Sequence, residues 1–358
     1  MKTLRIAIPA LLLTTGHLGA QSPADMLSRL RALQLKEAPG PVPLIYSPAS
    51  EHRALRWQRS LALAHAWFQS QLHIEAPVTL AVLDRETWRK VTPEILPHAI
   101  VRSSLIVFPE HIEDIYPDAL KSLDPVLGAE AVTFHEAGHI FADALKIDGN
   151  TFVGEFLANV FMAGYIRAAR PDLVFMLNGP LREMKAPRYT SGGDLNYLEA
   201  NLPPENYLWF EMQLQRLADF CVKGRSFGAV VENLAVAFPA VHSRHVNILE
   251  ASNRLEALFP GFKASAGLIA EPPTITRVNL STCSDSPKTP AAERKLIVVR
   301  NDTAARLEFT KFDGTKLLVD AYAWRRIAVP AGTSLQMSDG RCLAAGGTDD
   351  PVLAIIEE

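Results

Sequence analysis

The sequence predicts an α+β chain in successive regions, and three observations carry that prediction. Strand and helix signals alternate from residue 41 to about 169. Helical periodicity dominates from about 205 to 258. From Lys295 the pattern changes to short β-rich runs punctuated by Asp313-Gly314, Ala331-Gly332 and Asp339-Gly340. Before that change lie Glu271-Pro272-Pro273, Ser284-Asp285-Ser286-Pro287 and Thr289-Pro290, a composition of turns and connections. At 358 residues the chain exceeds the usual size of one domain. We therefore expect residues 1–20 to form a leader, 21–265 a first folded domain, 266–291 a Pro-rich linker, and 292–358 a small all-β sandwich module.

The leader has the layout of a secretory signal. Lys2 and Arg5 form a basic start, Ile6 to Thr15 an apolar stretch, and Leu18-Gly19-Ala20 supplies small residues before Gln21. This layout predicts a secreted or periplasmic protein. The apolar run is short for a membrane span, and no other uncharged stretch of about 18 residues exists. No integral membrane segment is expected after removal of the signal. The net charge is −3, and −5 without Lys2 and Arg5, which offers no electrostatic basis for nucleic-acid binding. With 48% hydrophobic and 21% charged residues, the chain can bury a large core. Of three cysteines, Cys283 and Cys342 could pair in an oxidising compartment, whereas Cys221 sits in an apolar helical pattern and reads as core.

Taken in order, Val42 to Tyr46 reads as a short strand between proline turns. Leu55, Leu61, Ala66, Trp67 and Leu72 recur at helical spacing. Val78 to Leu83 and Ser104 to Phe108 read as strands, the second stopped by Pro109. A long helix is expected from about Gly128 to Leu145, then a turn at Asp148-Gly149-Asn150. A second apolar helix follows from Phe152 to about Ala169, stopped by Pro171.

The first helix of that pair carries His135-Glu136-Ala137-Gly138-His139, an H-E-x-x-H pattern. Residues four apart on a helix share a face, with Cβ atoms about 5–6 Å apart, so two imidazoles can hold one metal ion. Glu136 lies beside such an ion, where it can take a proton from water. Zinc that keeps a position open for water needs a third protein ligand. Asp143 lies eight residues beyond His135, about 12 Å along the helix, too far to share the ion. Residues 142 and 145 are Ala and Leu, so a third histidine on the same helix is absent. Glu155, returned by the helical hairpin, is the better candidate. Asn159, four residues later on the same face, is placed to accept the other ring N–H of a ligating histidine.

His135-Glu136-x-x-His139 followed by Glu155-x-x-x-Asn159 resembles the gluzincin metallopeptidases, and is most similar to the compact, secreted peptidase MA-like proteins. The resemblance covers roughly residues 40 to 225. It implies a zincin-like catalytic domain: a small mixed sheet, an active-site helix hairpin and a helical second half. It implies one Zn²⁺ held by His135, His139 and Glu155, with Glu136 as general base and acid. It also implies an edge strand near Ser104 to Phe108 that could pair with an extended peptide. A tyrosine downstream of the glutamate ligand often stabilises the oxyanion in this family. Tyr207, at the start of a helix after Pro203-Pro204, fits that place, with Tyr189, Tyr197, His242 and His245 as alternatives. The G-x-M-x-N type of exopeptidase motif is absent upstream, so amino-terminal trimming is not expected.

The expected activity is thus hydrolysis of a peptide or protein substrate. The competing expectations are a secreted binding or scaffold protein with a structural zinc, and a chain that holds no metal. Residues 21 to 40 are long enough to cover a cleft as a propeptide.

Overall fold

The structure is a computed structural model that describes residues 23–92, 96–115, 125–177, 185–198, 202–240, 246–271, 273–283, 294–321, 324–344 and 352–357. The expected leader, and His242 and His245, lie outside the described residues.

The first region is a three-layer unit. Helix α1 (Pro23–Ala32) precedes strands β1 (Lys36–Ala38) and β2 (Leu44–Tyr46), and α2 (Glu51–Leu72) leads to β3 (Thr79–Leu83). Then come α3 (Arg85–Val91), β4 (His98–Ile100) and β5 (Leu105–Pro109). The five strands form one mixed sheet in the order β1-β2-β3-β5-β4. The inner three are parallel, with Leu44 opposite Leu80 and Leu80 opposite Ile106. β1 and β4 run antiparallel at the two edges.

Side chains alternate across this sheet. Leu44, Leu80, Val82, Ile106 and Phe108 face the main core under α2, while Ile45, Ala81, Leu83, Leu105 and Val107 face a smaller cluster with Leu30, Trp88 and Val91. A strand covered on both faces reads as an unbroken apolar run, which is why 78–83 and 105–108 show little alternation. Helix α1 therefore covers the back of the sheet as part of the fold. The strand read from Ser104 to Phe108 corresponds to β5, which lies inside the sheet. The edge next to it belongs to β4, a strand of only three residues.

The second region is helical: α4 (Pro125–Ala144), α5 (Thr151–Ala169), α6 (Gly192–Leu198), α7 (Pro204–Val222), α8 (Phe227–Ala237), α9 (Ile248–Leu258) and α10 (Phe262–Ala266). Helices α4 and α5 pack as a hairpin, and α7 packs on α5. Every residue of α5 from Phe156 to Ile166 is buried, so it is the central rod of the region. Aromatic rings of α2, α4, α5 and α8 interlock around it. Phe68 meets Phe141 at 5.1 Å and Phe161 at 5.4 Å, and Phe161 meets Phe227 at 5.4 Å. Asn150 caps α5, accepting from the backbone N–H of Val153 and donating to the carbonyl of Val246.

The C-terminal region is a β-sandwich. Strands β6 (Thr276–Val278), β8 (Arg294–Asn301), β11 (Trp324–Pro330) and β14 (Val352–Ile356) form one sheet in the order β11-β8-β14-β6. Strands β7 (Ser281–Thr282), β9 (Leu307–Thr310), β10 (Lys316–Val319), β12 (Ser334–Met337) and β13 (Arg341–Ala344) form the other, in the order β10-β9-β12-β13-β7. Their facing sides enclose Ile297, Val299, Phe309, Val329, Leu335 and Leu343. Cys283 and Cys342 are joined by a disulfide, and Cys221 is free and buried. The span read as a linker contributes β6 and β7, so the strands begin at Thr276. At three and two residues those strands are too short to display alternation, and the neighbouring prolines dominate the composition. Asn301, in an N-x-T pattern, is fully buried and donates to three backbone carbonyls, so it clamps a loop.

Helix α6 joins the sandwich to the helices. Arg300 Nη1 donates to the Tyr197 hydroxyl at 2.9 Å, Trp324 packs edge-on against the Tyr197 ring, and Arg326 Nη1 donates to the carbonyl of Leu198. The Asp194 carboxylate accepts from the backbone N–H and hydroxyl of Thr274. From the same helix, Asn196 Oδ1 accepts from the N–H of Phe152 at 2.7 Å, satisfying a free donor at the start of α5.

Candidate metal centre

The α4–α5 hairpin brings His135, His139 and Glu155 together. His135 Nε2 lies 3.2 Å from Glu155 Oε2 and 3.2 Å from His139 Nε2, and His139 Nε2 lies 3.4 Å from Glu155 Oε2. Tetrahedral zinc with bonds of about 2.0–2.1 Å separates its ligand atoms by roughly 3.3 Å. The triangle therefore has the size of three corners of such a site, and two nitrogens with one carboxylate oxygen are ligands that zinc accepts. Among the described residues, these three form the one group of histidine, cysteine and acidic side chains close enough to hold a metal ion.

The packing that sets the triangle is tight. Gly138 faces α5 so closely that a Cβ there would lie 2.9 Å from the Ala158 Cα and carbonyl oxygen and from Phe161 Cβ. Glycine at this position lets the two backbones approach, and the ligands lie close by, His139 next to Gly138 on α4 and Glu155 about one turn before Ala158 on α5.

Electrostatics bind the group together. Burial opposes a charge on His135, but a hydrogen bond to Glu155 and the charges of Glu211, Glu136 and Glu155 hold its pKa up at about 10. His139 is likewise raised against its burial, by the charge and hydrogen bond of Glu155. Burial works against the Glu155 carboxylate too, yet the charges and hydrogen bonds of His139 and His135 push its pKa well below the usual range. Glu136 is buried next to His135, and its charge acts on both imidazoles.

Asn159 is fully buried, and its amide nitrogen donates to the Glu155 carbonyl at 2.9 Å and to Glu211 Oε2 at 3.0 Å. It thus reaches the site through Glu211, a residue the sequence reading missed. Glu211 Oε2 lies 3.8 Å from His135 Nδ1. Burial, and then the charge of Glu155, raise the Glu211 carboxyl to about 7. The available signal was an acid on a core stripe: Leu208, Glu211, Gln215, Ala218 and Val222 recur at helical spacing on α7, and all are buried.

Tyr207 is half-buried on α7, one turn before Glu211 and on the same face. Of its alternatives, Tyr197 directs its hydroxyl to Arg300, and the backbone of Tyr189 is bracketed by the Asn206 side-chain amide. Strand β4 lies against α4, and its side away from β5 pairs with no strand among the described residues.

No protein-family model matches the chain, and no curated protein matches its sequence. Among solved structures it is similar to the crystal structure of Legionella pneumophila aminopeptidase A in complex with aspartic acid. The TM-score is 0.42 and the identity 12%, over 83% of this chain and 36% of that one. The chain therefore spans little more than a third of that enzyme's length. No helix among the described residues is long and apolar enough to cross a membrane.

Proposed function

We propose that this chain is an exported zinc-dependent metallopeptidase that acts on a peptide or protein substrate. The observation that carries the reading is the triangle of His135, His139 and Glu155 at 3.2–3.4 Å, with a buried Glu136 beside it. A zinc ion held by those three residues would polarise the scissile carbonyl and make a neighbouring water acidic. Glu136 takes the proton of the attacking water and delivers it to the departing amine. Tyr207 is proposed to donate to the developing oxyanion, from the helix that also carries Glu211. The edge of β4 beside α4, unpaired among the described residues, supports an extended substrate held by main-chain hydrogen bonds. Export rests on Lys2, Arg5, the apolar run to Thr15 and Ala20, and the Cys283–Cys342 disulfide suits an oxidising compartment.

The test is turnover of a quenched-fluorescence peptide library with and without a chelator, beside Glu136→Gln. Glu136→Gln should keep one zinc per chain and lose roughly 10²–10⁴-fold in kcat. Equal turnover by this variant and the wild type would overturn the mechanism. Stoichiometric zinc without any turnover would instead support a binding protein with a structural metal. Tyr207→Phe should bind zinc as the wild type does and lose about 10²-fold in kcat, on the scale of one oxyanion donor. An unchanged kcat removes Tyr207 from the mechanism.

A further inference from the structure

Glu211 is hard to explain as a stabilising residue. It is buried on the core-facing stripe of α7, and its Oε1 has no hydrogen-bond partner among the described residues. A buried carboxylate with an unsatisfied oxygen costs stability, whereas an apolar side chain of the same size would not. Its other oxygen accepts from Asn159 at 3.0 Å and faces His135 Nδ1 at 3.8 Å.

The orientation of Asn159 follows from its neighbours. Its amide nitrogen meets two acceptors, the Glu155 carbonyl and Glu211 Oε2; the flipped amide would set oxygen against oxygen at both contacts. Asn159 therefore presents donors, and its own Oδ1 is buried without a partner among the described residues. Its place is to hold Glu211, and through Glu155 it ties that carboxylate to the helix bearing the third ligand.

His135 turns Nε2 toward His139 and Glu155, so with zinc held at Nε2 the proton of its neutral ring would sit on Nδ1. Resting on the zinc reading above, we propose that Glu211 is the acceptor for His135 Nδ1–H, a positioning residue supplied by α7 that fixes the tautomer and ring orientation of the first ligand. The arrangement crosses three helices: α4 brings the imidazole, α7 the carboxylate, and α5 the amide that aims it. A carboxylate behind a ligating histidine also makes the imidazole a stronger donor. This role accounts for a buried acid that packing alone would replace.

The test compares the full wild-type chain with Glu211→Gln and Glu211→Met. Zinc affinity is measured by competition with a chromophoric chelator, and the stability of the metal-free proteins by urea unfolding. Glu211→Met should weaken zinc by about 10–100-fold, and Glu211→Gln, which keeps an acceptor but no charge, by less. Metal-free stability should be unchanged or higher in both, a result that a structural role for Glu211 does not produce. Zinc binding within twofold of wild type in both variants overturns the proposal, as does weaker binding that tracks an equal loss of metal-free stability. If Glu211→Met fails to fold, the isosteric Glu211→Gln still decides by the same criteria. A wild-type chain that binds no zinc overturns the metal reading itself, an outcome distinct from a wild type that binds zinc and is indifferent to Glu211.

Discussion

Replacing Gly138 with alanine adds one methyl group where α4 meets α5, and the effect can be worked out from the contact. The new Cβ would lie 2.9 Å from two backbone atoms of Ala158 and from Phe161 Cβ, where ordinary contact begins at 3.4 Å. The helices must therefore part by about 0.5 Å. Overpacking of this kind costs about 1–3 kcal/mol, while alanine in place of a mid-helix glycine returns about 1 kcal/mol. The net loss of stability is about 0–2 kcal/mol, which the fold can tolerate. The ligand triangle is less forgiving. It spans the same two helices, and metal–ligand distances hold to about 0.2 Å. Gly138→Ala should thus weaken zinc at least about tenfold, equivalent to 1.4 kcal/mol, while the metal-free chain stays folded. Urea unfolding without metal and zinc competition give the two numbers separately. A variant that binds zinc like the wild type would show that hairpin spacing does not set the site.

Metal-free stability should depend on pH through the groups of the site, with His139 raised in the same direction as His135. His135 is raised from 6.5 to about 10, so its contribution is complete below pH 6.5 and is lost as pH climbs toward 10. Glu155 is lowered from 4.5, so its contribution is present above that value and is lost in acid; Glu211, raised from 4.5 to about 7, penalises folding increasingly between those values. Thermal unfolding of metal-free protein should therefore show a maximum near pH 5 and a decline toward pH 9, and a rise over that range contradicts the assignment. Added zinc must displace the proton on His135, so the stabilisation it confers should grow with pH. Tyr197→Phe removes the hydroxyl that accepts from Arg300 and should cost about 1–2 kcal/mol in unfolding experiments with kcat unchanged; a fall in kcat at full stability would instead place Tyr197 in the chemistry.

Much of the candidate site was legible because its parts are local. The spacing of His135 and His139 is a helical repeat, and Glu155 follows from a hairpin whose turn is marked by Asp148-Gly149-Asn150. Glu211 is different. It lies 52 residues beyond Asn159, on a helix whose contact with α5 no sequence interval announces. Gly138 likewise reads as an unremarkable interior position of the motif until Ala158 is set against it. In the sheet, Leu105 to Phe108 has the unbroken apolar run of a strand covered on both faces, a sign of an interior place. The true edge, β4, escaped because three residues carry no period. Similar brevity concealed β6 and β7 among prolines.

The outer face of the β11-β8-β14-β6 sheet packs on the helices: Val298 and Leu353 belong to the same packed cluster as Phe134, Phe156 and Phe210. Through α6, its Tyr197 and Leu198 contacts continue to Asn196 and so to the first turn of the helix that bears Glu155. A chain cut at residue 265 would consequently lack the Thr274, Arg300, Trp324 and Arg326 contacts that seat α6. Inactivity of such a truncated product would report a lost buttress and carry no information about whether the sandwich recognises substrate. Assigning a task to the C-terminal strands calls for point substitutions at their exposed positions, with the sandwich interior and the face packed on the helices left intact.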